Sequence, residues 1–330
     1  MAYGSGNNII ALDYNTFARG GASVTHGTAN INTIWGTGSG DKGYGQSTTL
    51  TAVSATTDSV TATQWSTMIS RLNSILTHQA GSGSGISSPT AGATVTYLSS
   101  LSSSISTAYT NRLTAATNAT DVTGTAPSAT VWNTAAPTTQ QIIRTATWAS
   151  ADQARYFFNA GGKLIITFTV TNTLGNSKGA DWASLLNTKL ATIVVGSYTN
   201  ARTGTGGTAS ATNAAIGYWN AGTSNNSMIT LTSASGTADY SSNSVAVGIK
   251  TNGVQGANGD VGTIMTFQID LTDAAADTNT APSNPSLPGG VAPTQGVFND
   301  SLNLSIVTNI TIRPPETTNL TTSISNPTIA

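Results

Sequence analysis

Three glycines near the N-terminus have the spacing of a phosphate-binding loop. Gly38, Gly40 and Gly43 spell G-x-G-x-x-G, a pattern in which backbone N–H groups at the start of a helix bind a pyrophosphate. That chemistry needs a strand before the glycines, a helix after them and an acidic residue about 20 residues further on. Here residues 47–53 are rich in threonine and resemble a strand. The pattern therefore favours a loop between two helices, with the glycines in left-handed conformations.

Histidine could supply a metal ligand or a general base, and the chain has two, His26 and His78. A zinc site needs three or four ligands. Because the chain has no cysteine, two distant histidines would have to recruit scattered aspartates. No serine lies in the G-x-S-x-G turn that presents the nucleophile of α/β hydrolases. We predict no metal site, and a capping or packing role for His78 at the end of a helix.

Carboxylates are the third candidate group, because calcium binds clustered aspartates in loops. Asp270, Asp273 and Asp277 lie close in sequence and Asp260 precedes them, but no loop of the EF-hand kind is present. Glycoside hydrolysis needs two carboxyl groups that flank one bond, and the chain has twelve aspartates and one glutamate, Glu316. Their spacing places no pair in a cleft. The sequence predicts no catalytic residue, no metal and no cofactor, with a glycan depolymerase kept as an alternative.

Tryptophans are candidates for stacking against sugars. Trp65 and Trp182 occur at helical spacing among apolar residues, which predicts that they are core residues. Trp219 stands between glycine-rich loops and is the best candidate for an exposed indole. We predict that any contact with a glycan involves the triplet Tyr218, Trp219 and Asn220.

The composition argues against several classes of function, including nucleic-acid binding and membrane insertion. The chain has 330 residues, a formal net charge of −1 and only 8% charged residues, so it lacks the positive charge that nucleic-acid binding requires. No apolar run approaches the roughly 20 residues of a membrane-spanning helix, and residues 1–8 do not resemble a secretory signal. With 38% hydrophobic residues the chain is expected to fold. A surface so poor in charge is poorly protected against association, so we expect partner molecules to cover much of it.

The first third of the chain reads as helical. Leu12 and Phe17 mark a first helix and Ile31 to Trp35 a short second one. Thr61 and Gln64 form a capping-box pattern, and apolar residues then recur at helical spacing until Gly81. A further stripe predicts a helix, with its members spaced by three or four residues: Leu98, Leu101, Ile105, Tyr109 and Leu113. We assign residues 1–115 to a helical attachment or oligomerisation module.

The rest of the chain predicts β structure. Residues 116–140 resemble a linker, residues 141–313 a β-rich sandwich, and residues 314–330 an extended tail pinned by a neighbouring molecule. The alternation of apolar residues predicts strands over 163–170, 261–271 and 302–312, with shorter ones at 228–231 and 245–249. Helices are predicted over 151–159, opened by a capping box at Ser150 and Gln153, and over 181–190. A proline-rich crossing is expected over 273–293.

Together these patterns predict an α+β fold: an N-terminal helical module, then an antiparallel sandwich-like domain with short helices and an extended C-terminal tail.

Two stretches of the sequence resemble a known kind of protein. The first comprises residues 13–15, 32–36 (NTIWG), 43–46 (GYGQ) and 61–79 (TATQWSTMISRLNSILTHQ), and the second residues 150–168 (SADQARYFFNAGGKLIITF). Both are similar to virion structural proteins of tailed bacteriophages, encoded among tail and appendage genes. The resemblance implies a non-enzymatic assembly component, made in the host cytoplasm, located in the virion and repeated around a symmetry axis.

These observations lead to one expectation with alternatives. We expect a non-enzymatic tail or tail-appendage protein, associated with a fibre or baseplate, whose partners are copies of itself and other virion proteins. One alternative is a receptor-binding appendage that recognises bacterial surface glycans. Another is a head decoration or a neck or collar protein. Neither nucleic acid nor a membrane is an expected partner.

Overall fold

The protein has an α+β fold in which helices come first along the chain and two antiparallel sheets follow. This confirms the predicted fold class. The structure is a computed structural model, and it describes residues 11–19, 29–54, 59–124, 128–134, 139–212, 217–233, 241–274 and 302–330. His26, Asp277 and most of the proline-rich segment 273–293 lie outside these ranges.

Six α-helices occur in the described residues: α1 (Ala11–Arg19), α2 (Ile31–Trp35), α3 (Ala62–Ala80), α4 (Leu98–Thr110), α5 (Ala151–Asn159) and α6 (Ser177–Ser184). The capping box predicted at the start of α3 is present. Gln64 N donates to Thr61 Oγ1 at 3.2 Å, and Thr61 N donates to Gln64 Oε1 at 2.8 Å. Gly81 ends the helix with a left-handed φ of 79°, which glycine adopts without steric cost. In α1, Phe17 is buried as expected, whereas Leu12 is 49% exposed.

The second predicted capping box is only half formed. Ser150 Oγ accepts a hydrogen bond from Gln153 N at 3.2 Å, as an N-cap residue should. The side chain of Gln153 instead accepts a bond from Ser325 N at 3.1 Å. The prediction of a reciprocal pair was wrong because a distant segment competes for the same amide.

The helix predicted over 181–190 is present, but it is α-helical only as far as Ser184 and π-helical after that. After α6 the chain continues as a π-helical turn over Leu185–Leu190. Leu185, Leu186 and Leu190 are all buried in this turn. A short 3-10 turn later spans Tyr218–Asn220.

Twelve strands are described, and all their pairings are antiparallel. They are β1 (Val122–Thr123), β2 (Thr130–Thr134), β3 (Thr139–Thr147), β4 (Lys163–Asn172), β5 (Thr192–Val195), β6 (Asn200–Arg202), β7 (Thr208–Thr212), β8 (Asn226–Thr232), β9 (Ser244–Thr251), β10 (Ile264–Thr272), β11 (Leu302–Arg313) and β12 (Thr328–Ile329). The first sheet has the order β1-β11-β4-β5-β6, with β2 also paired to β11. The second has the order β12-β3-β10-β9-β8-β7.

The two sheets bury one face each against a common core. Residues of β10 and β11 alternate strictly between buried and partly exposed positions, as period-two patterning predicts. The strand predicted over 261–271 begins only at Ile264. Val261 is instead 73% exposed, because it belongs to the loop between β9 and β10.

A second core lies in the helical part. Trp65, Met68 and Leu72 of α3 are fully or almost fully buried there, together with Trp35 of α2 and Leu101 of α4. The polar faces of these helices carry serine and threonine. Because such residues are weak helix formers, the helices depend on this shared core for their stability.

The segment predicted as a linker, 116–140, is not a free connection. It contributes β1 and β2, which both pair with β11, and it runs into the start of β3. The strands are short and rich in threonine, so their sequence resembles a loop. The domain boundaries around this segment stay predictions.

The C-terminal tail, residues 314–330, is bound to other segments of its own chain. Gln46 Oε1 accepts bonds from Thr321 N and Thr322 N at 2.8 and 2.7 Å. Further along, Ala330 exchanges backbone bonds with Thr145 of β3. Ile324 packs against both cores, so the tail joins the helical part to the sandwich.

Candidate functional site

The glycine-rich loop after α2 contacts a cation rather than offering a site for an anion. Gly38, Gly40 and Gly43 all have positive φ, which confirms the predicted left-handed loop between helices. Arg155 of α5 is fully buried beneath the loop. Its Nη1 donates to the backbone oxygens of Thr37 and Lys42.

The same loop is bound from α5 by an amide. Asn159 Nδ2 donates to Gly40 O at 3.3 Å and to Gly43 O at 3.1 Å. A phosphate-binding loop presents N–H groups to its ligand, whereas this loop presents carbonyl oxygens to donors of the protein. The glycine spacing therefore serves to join the helical part to α5.

The predicted glycan triplet divides into a buried and a partly exposed residue. Tyr218 is fully buried, stacks on Phe158 with ring centroids 4.6 Å apart and donates from its hydroxyl to Ala151 O at 3.3 Å. Burial also raises the pKa of the Tyr218 hydroxyl. The prediction for Tyr218 was wrong, because the aromatic ring fills the sandwich core. Asn220 completes the same 3-10 turn.

Trp219 is partly buried and supports a second aromatic residue. Its Nε1 donates to Ser197 Oγ, and Tyr198 stacks on the indole with ring centroids 5.9 Å apart. A Cβ atom on Gly256 would lie 2.6 Å from the indole, so the Gly256 backbone packs directly against the ring. Since Tyr198 is 40% exposed, it is the aromatic residue that a ligand at this turn would contact.

A cleft of about 400 Å³ lies beside Tyr198, where the two parts of the molecule meet. Its lining comes from the end of the helical part and from loops of the sandwich: residues 113–115, Asn118, Phe158, residues 161–163 and residues 196–199. The polar groups there include an amide, hydroxyls and the ammonium of Lys163. The exposed ring can stack on a flat apolar face, and the polar groups can form hydrogen bonds with hydroxyl groups of a ligand.

His78 lies in the interior at the end of α3. Its Nε2 is 3.1 Å from Ala160 O, and the ring of Tyr44 meets it edge-on with centroids 5.2 Å apart. Burial lowers the pKa of His78, although Ala160 O and the backbone and charge of Glu316 act in the opposite direction. The contacts confirm the packing role predicted from sequence.

The described members of the aspartate set, Asp260, Asp270 and Asp273, are not gathered into one site. Asp260 precedes β10, whereas Asp270 and Asp273 stand at its far end, and nine residues of strand span about 30 Å. Asp270 accepts bonds from Gln141 and Gln268, both at 2.8 Å. Within the described ranges, no three histidine or carboxylate side chains are grouped closely enough to hold a metal ion.

A cluster of buried ionisable groups lies at one end of the strands of the second sheet. The cluster lies where β8 ends, β9 begins and β10 ends, and α6 with its π-helical turn covers it. Lys178 Nζ is 2.8 Å from Asp273 Oδ2, with both side chains fully buried. Nearby, Lys189 Nζ donates to Ser233 O at 2.6 Å and to Ser233 Oγ at 3.0 Å. Ser233 Oγ in turn lies 2.7 Å from both oxygens of Asp181.

Sequence reasoning missed Tyr198 and both lysines. A signal for the lysines was present, because Lys178 stands four residues before Trp182 and Lys189 four residues after Leu185. Side chains at this spacing share a face of a helix, and here that face is buried. Tyr198 had no such signal, since its exposure depends on how the loop after β5 packs on Trp219.

Exposed apolar side chains lie at the same end of the sandwich as Trp219. Val254 and Val261 are 66% and 73% exposed, and both belong to the loop in which Gly262 N donates to Val254 O at 2.8 Å. Gly256 of this loop touches the indole that supports Tyr198. We call Tyr198, Val254 and Val261 the apolar end.

Within the part of the chain that the structure describes, no helix is both long and apolar enough to cross a bilayer. Comparisons of the chain with family models, with curated proteins and with solved structures found no match. The function must therefore be inferred from the chain's own residues.

Proposed function

We propose that the chain is a non-enzymatic structural component of a tailed phage particle. In this proposal it is a tail or tail-appendage protein, located in the virion, that assembles with copies of itself and with other virion proteins. The apolar end supports the assembly in this proposal, and the resemblance of residues 61–79 and 150–168 to phage virion proteins supports the virion assignment. Exposed apolar side chains gathered at one place on a surface are typical of contacts between proteins.

The carboxylates support a structural role. Asp41 is paired with Arg112 and Lys42, and Asp121 with Arg313. Asp152 binds Arg155. In the buried cluster of the second sheet, Asp273 binds a lysine and Asp181 a serine. These described side chains are taken up by contacts that hold segments together, whereas glycoside hydrolysis needs two carboxyl groups that face a substrate.

The low charge supports assembly as well. With 8% charged residues, the surface can enter large interfaces with little cost from burying charge. Repetition around an axis then multiplies weak contacts into a stable assembly.

The test of self-assembly is the mass of the purified protein in solution, measured by sedimentation velocity over a range of concentrations. We expect a defined oligomer for the natural sequence. The double variant Val254→Asp, Val261→Asp should shift the population to monomer. The matched control is Val131→Asp, which changes an exposed valine on β2 (64% exposed) and should leave the oligomer intact. A monomeric natural protein at high concentration would contradict the proposal.

The position in the particle needs a separate test. An antibody against the chain, bound to phage particles and viewed by electron microscopy, should label the tail or its appendages. Labelling of the head or neck would favour the alternative of a head decoration or collar protein. Absence of the chain from purified particles would overturn the virion assignment.

A second candidate function is recognition of host surface glycans, and Tyr198 beside the cleft favours it. A glycan array should then show binding by the natural protein. Tyr198→Ala should abolish this binding, while Tyr109→Ala, which removes a tyrosine of α4, should not. No signal on the array for the natural, oligomeric protein would remove this candidate and leave the structural role intact.

A further inference from the structure

Two ionisable side chains of the buried cluster are in direct contact without access to water. Lys178 lies in the first turn of α6 and Asp273 directly follows β10. Their side chains are both 0% exposed, and Nζ lies 2.8 Å from Oδ2. An ion pair in such a place is costly, because two charges lose their hydration.

The backbone on the Asp273 side is held in position by its neighbours. Asn243 Oδ1 accepts a bond from Ala274 N at 3.1 Å, and Asn243 O accepts one from Ser233 N at 2.9 Å. On the other side, Asn176 caps α6 by accepting a bond from Gly179 N at 2.9 Å. The contact between lysine and aspartate is therefore built into two anchored elements, and such preorganisation favours a reaction between the two groups.

The interior also favours the reactive forms of both groups. Transfer of one proton from the ammonium to the carboxylate gives an amine and a carboxylic acid, both neutral, which removes the cost of keeping two charges out of water. A neutral amine is a nucleophile, and a protonated carboxyl group can lose its oxygen as water.

We propose that Lys178 and Asp273 join through an intramolecular amide bond between Nζ and Cγ. The amine lone pair attacks Cγ of the carboxylic acid to give a tetrahedral intermediate. The intermediate keeps the new bond between Nζ and Cγ, and the bond from Cγ to one carboxyl oxygen breaks. The departing oxygen leaves as one water molecule, with one hydrogen from the acid and one from nitrogen. No oxidant, reductant or other reactant is required.

The second lysine of the cluster provides a natural comparison. Lys189 Nζ is 4.0 Å from Asp181 Oδ1, and Ser233 bonds to both partners. The ammonium is thus held by a backbone oxygen and a hydroxyl, away from the carboxyl carbon. We expect this pair to stay ionic.

The bond would join the start of α6 to the end of β10. It would close a loop between residues 178 and 273 and restrict the unfolded chain, as a disulfide does in other proteins. In a chain without cysteine, this is a route to a covalent cross-link within the sandwich.

The experiment is mass spectrometry of the full chain after denaturation. The natural protein should be lighter than its sequence by one water molecule. After trypsin digestion, residues 164–189 should remain uncleaved at Lys178 and be linked to the peptide that contains Asp273. A natural protein with the full sequence mass, and with a peptide that ends at a free Lys178, would overturn the proposal.

Two variants locate the bond. Lys178→Arg keeps the positive charge but should restore the full sequence mass, whether or not this variant folds. Lys189→Arg, the matched control at the ionic pair, should keep the loss of one water. A loss that persists in Lys178→Arg, or that maps to other residues, would also overturn the proposal.

Discussion

The two hydrophobic cores of the molecule contain different kinds of buried polar groups. In the helical part, three of the five buried polar residues that the structure describes are amides: Asn30, Gln46 and Gln79, beside Thr16 and His78. Gln79 Nε2 donates to Tyr44 Oη at 2.7 Å and to Ala108 O at 2.9 Å, and Gln46 binds the C-terminal tail. At the edge of the sandwich core, by contrast, the buried groups are ionisable: Lys178, Asp181, Lys189 and Asp273.

The difference follows from what each group must bind. In the helical part, the buried polar side chains bind single backbone N–H or C=O groups. A neutral amide can form such hydrogen bonds, and its burial costs less hydration energy than the burial of a charge. In the second sheet, the ends of β8, β9 and β10 lie under α6. The two lysines there bind acids and backbone oxygens. Removing one partner there leaves a buried charge without its counter-ion. We therefore expect substitutions in this cluster to lower the free energy of unfolding more than substitutions in the helical core.

The largest effect is expected at the ionic pair of the sandwich. Lys189→Met should lower the free energy of unfolding by about 3–5 kcal/mol, because Asp181 stays buried without its cation. The double variant Lys189→Met, Asp181→Leu should recover much of this loss. Urea denaturation measures both. If Lys189→Met were as stable as the natural protein, the loss of a buried counter-ion would carry no large cost, and the contrast between the two regions would be wrong.

A smaller effect is expected in the helical core. Gln79→Leu removes the donor to Tyr44 Oη and Ala108 O, and it should cost about 1–3 kcal/mol of stability. Adding Tyr44→Phe should cost less in this variant than in the natural protein, since the hydroxyl has already lost its donor. A loss in Gln79→Leu as large as that in Lys189→Met would erase the contrast.

The helical core should also add a dependence on pH. Burial lowers the pKa of His78 in the folded state, so the unfolded chain takes up a proton first as the pH falls. Stability is therefore complete above the unfolded pKa of about 6.5 and decreases below it, by at most about 1.4 kcal/mol per pH unit. His78→Gln, which keeps a donor for Ala160 O, should flatten the curve of stability between pH 7 and pH 5. Equal slopes for the two proteins would contradict this role of His78.

The smallest effect is expected outside both cores. Arg313 and Asp121 form an ion pair at 2.8 Å with side chains 39% and 38% exposed. Arg313→Gln should change the free energy of unfolding by less than about 1 kcal/mol, because water already solvates both charges. A loss comparable to that of Lys189→Met would mean that burial does not set the cost of breaking an ion pair in this chain.

Elements with strong local patterns were predictable from sequence. The capping box of α3 and the alternation in β11 appear where the pattern places them, because both depend on neighbours within a few residues. The short strands β1 and β2 were missed. Their sequence has no apolar alternation, and they exist because β11 offers an unpaired edge to them.

The candidate sites were less predictable, since their residues meet only through the fold. Tyr218 and Trp219 are adjacent in sequence, yet one faces the core and the other supports Tyr198. Lys178 and Asp273 come together across 95 positions of the chain (273 − 178). Neither the exposure of Tyr198 nor the contact of that lysine with its aspartate can be derived from spacing alone.

The place of β11 has a consequence for synthesis of the protein. It is the last described strand of the first sheet in chain order, yet it lies between β4 on one side and β1 and β2 on the other. While the ribosome has made only the first 300 residues, β1 and β2 lack their partner strand and β4 is paired with β5 alone. The first sheet can be completed only after translation has passed Arg313, so nascent chains arrested before this point have an incomplete sheet.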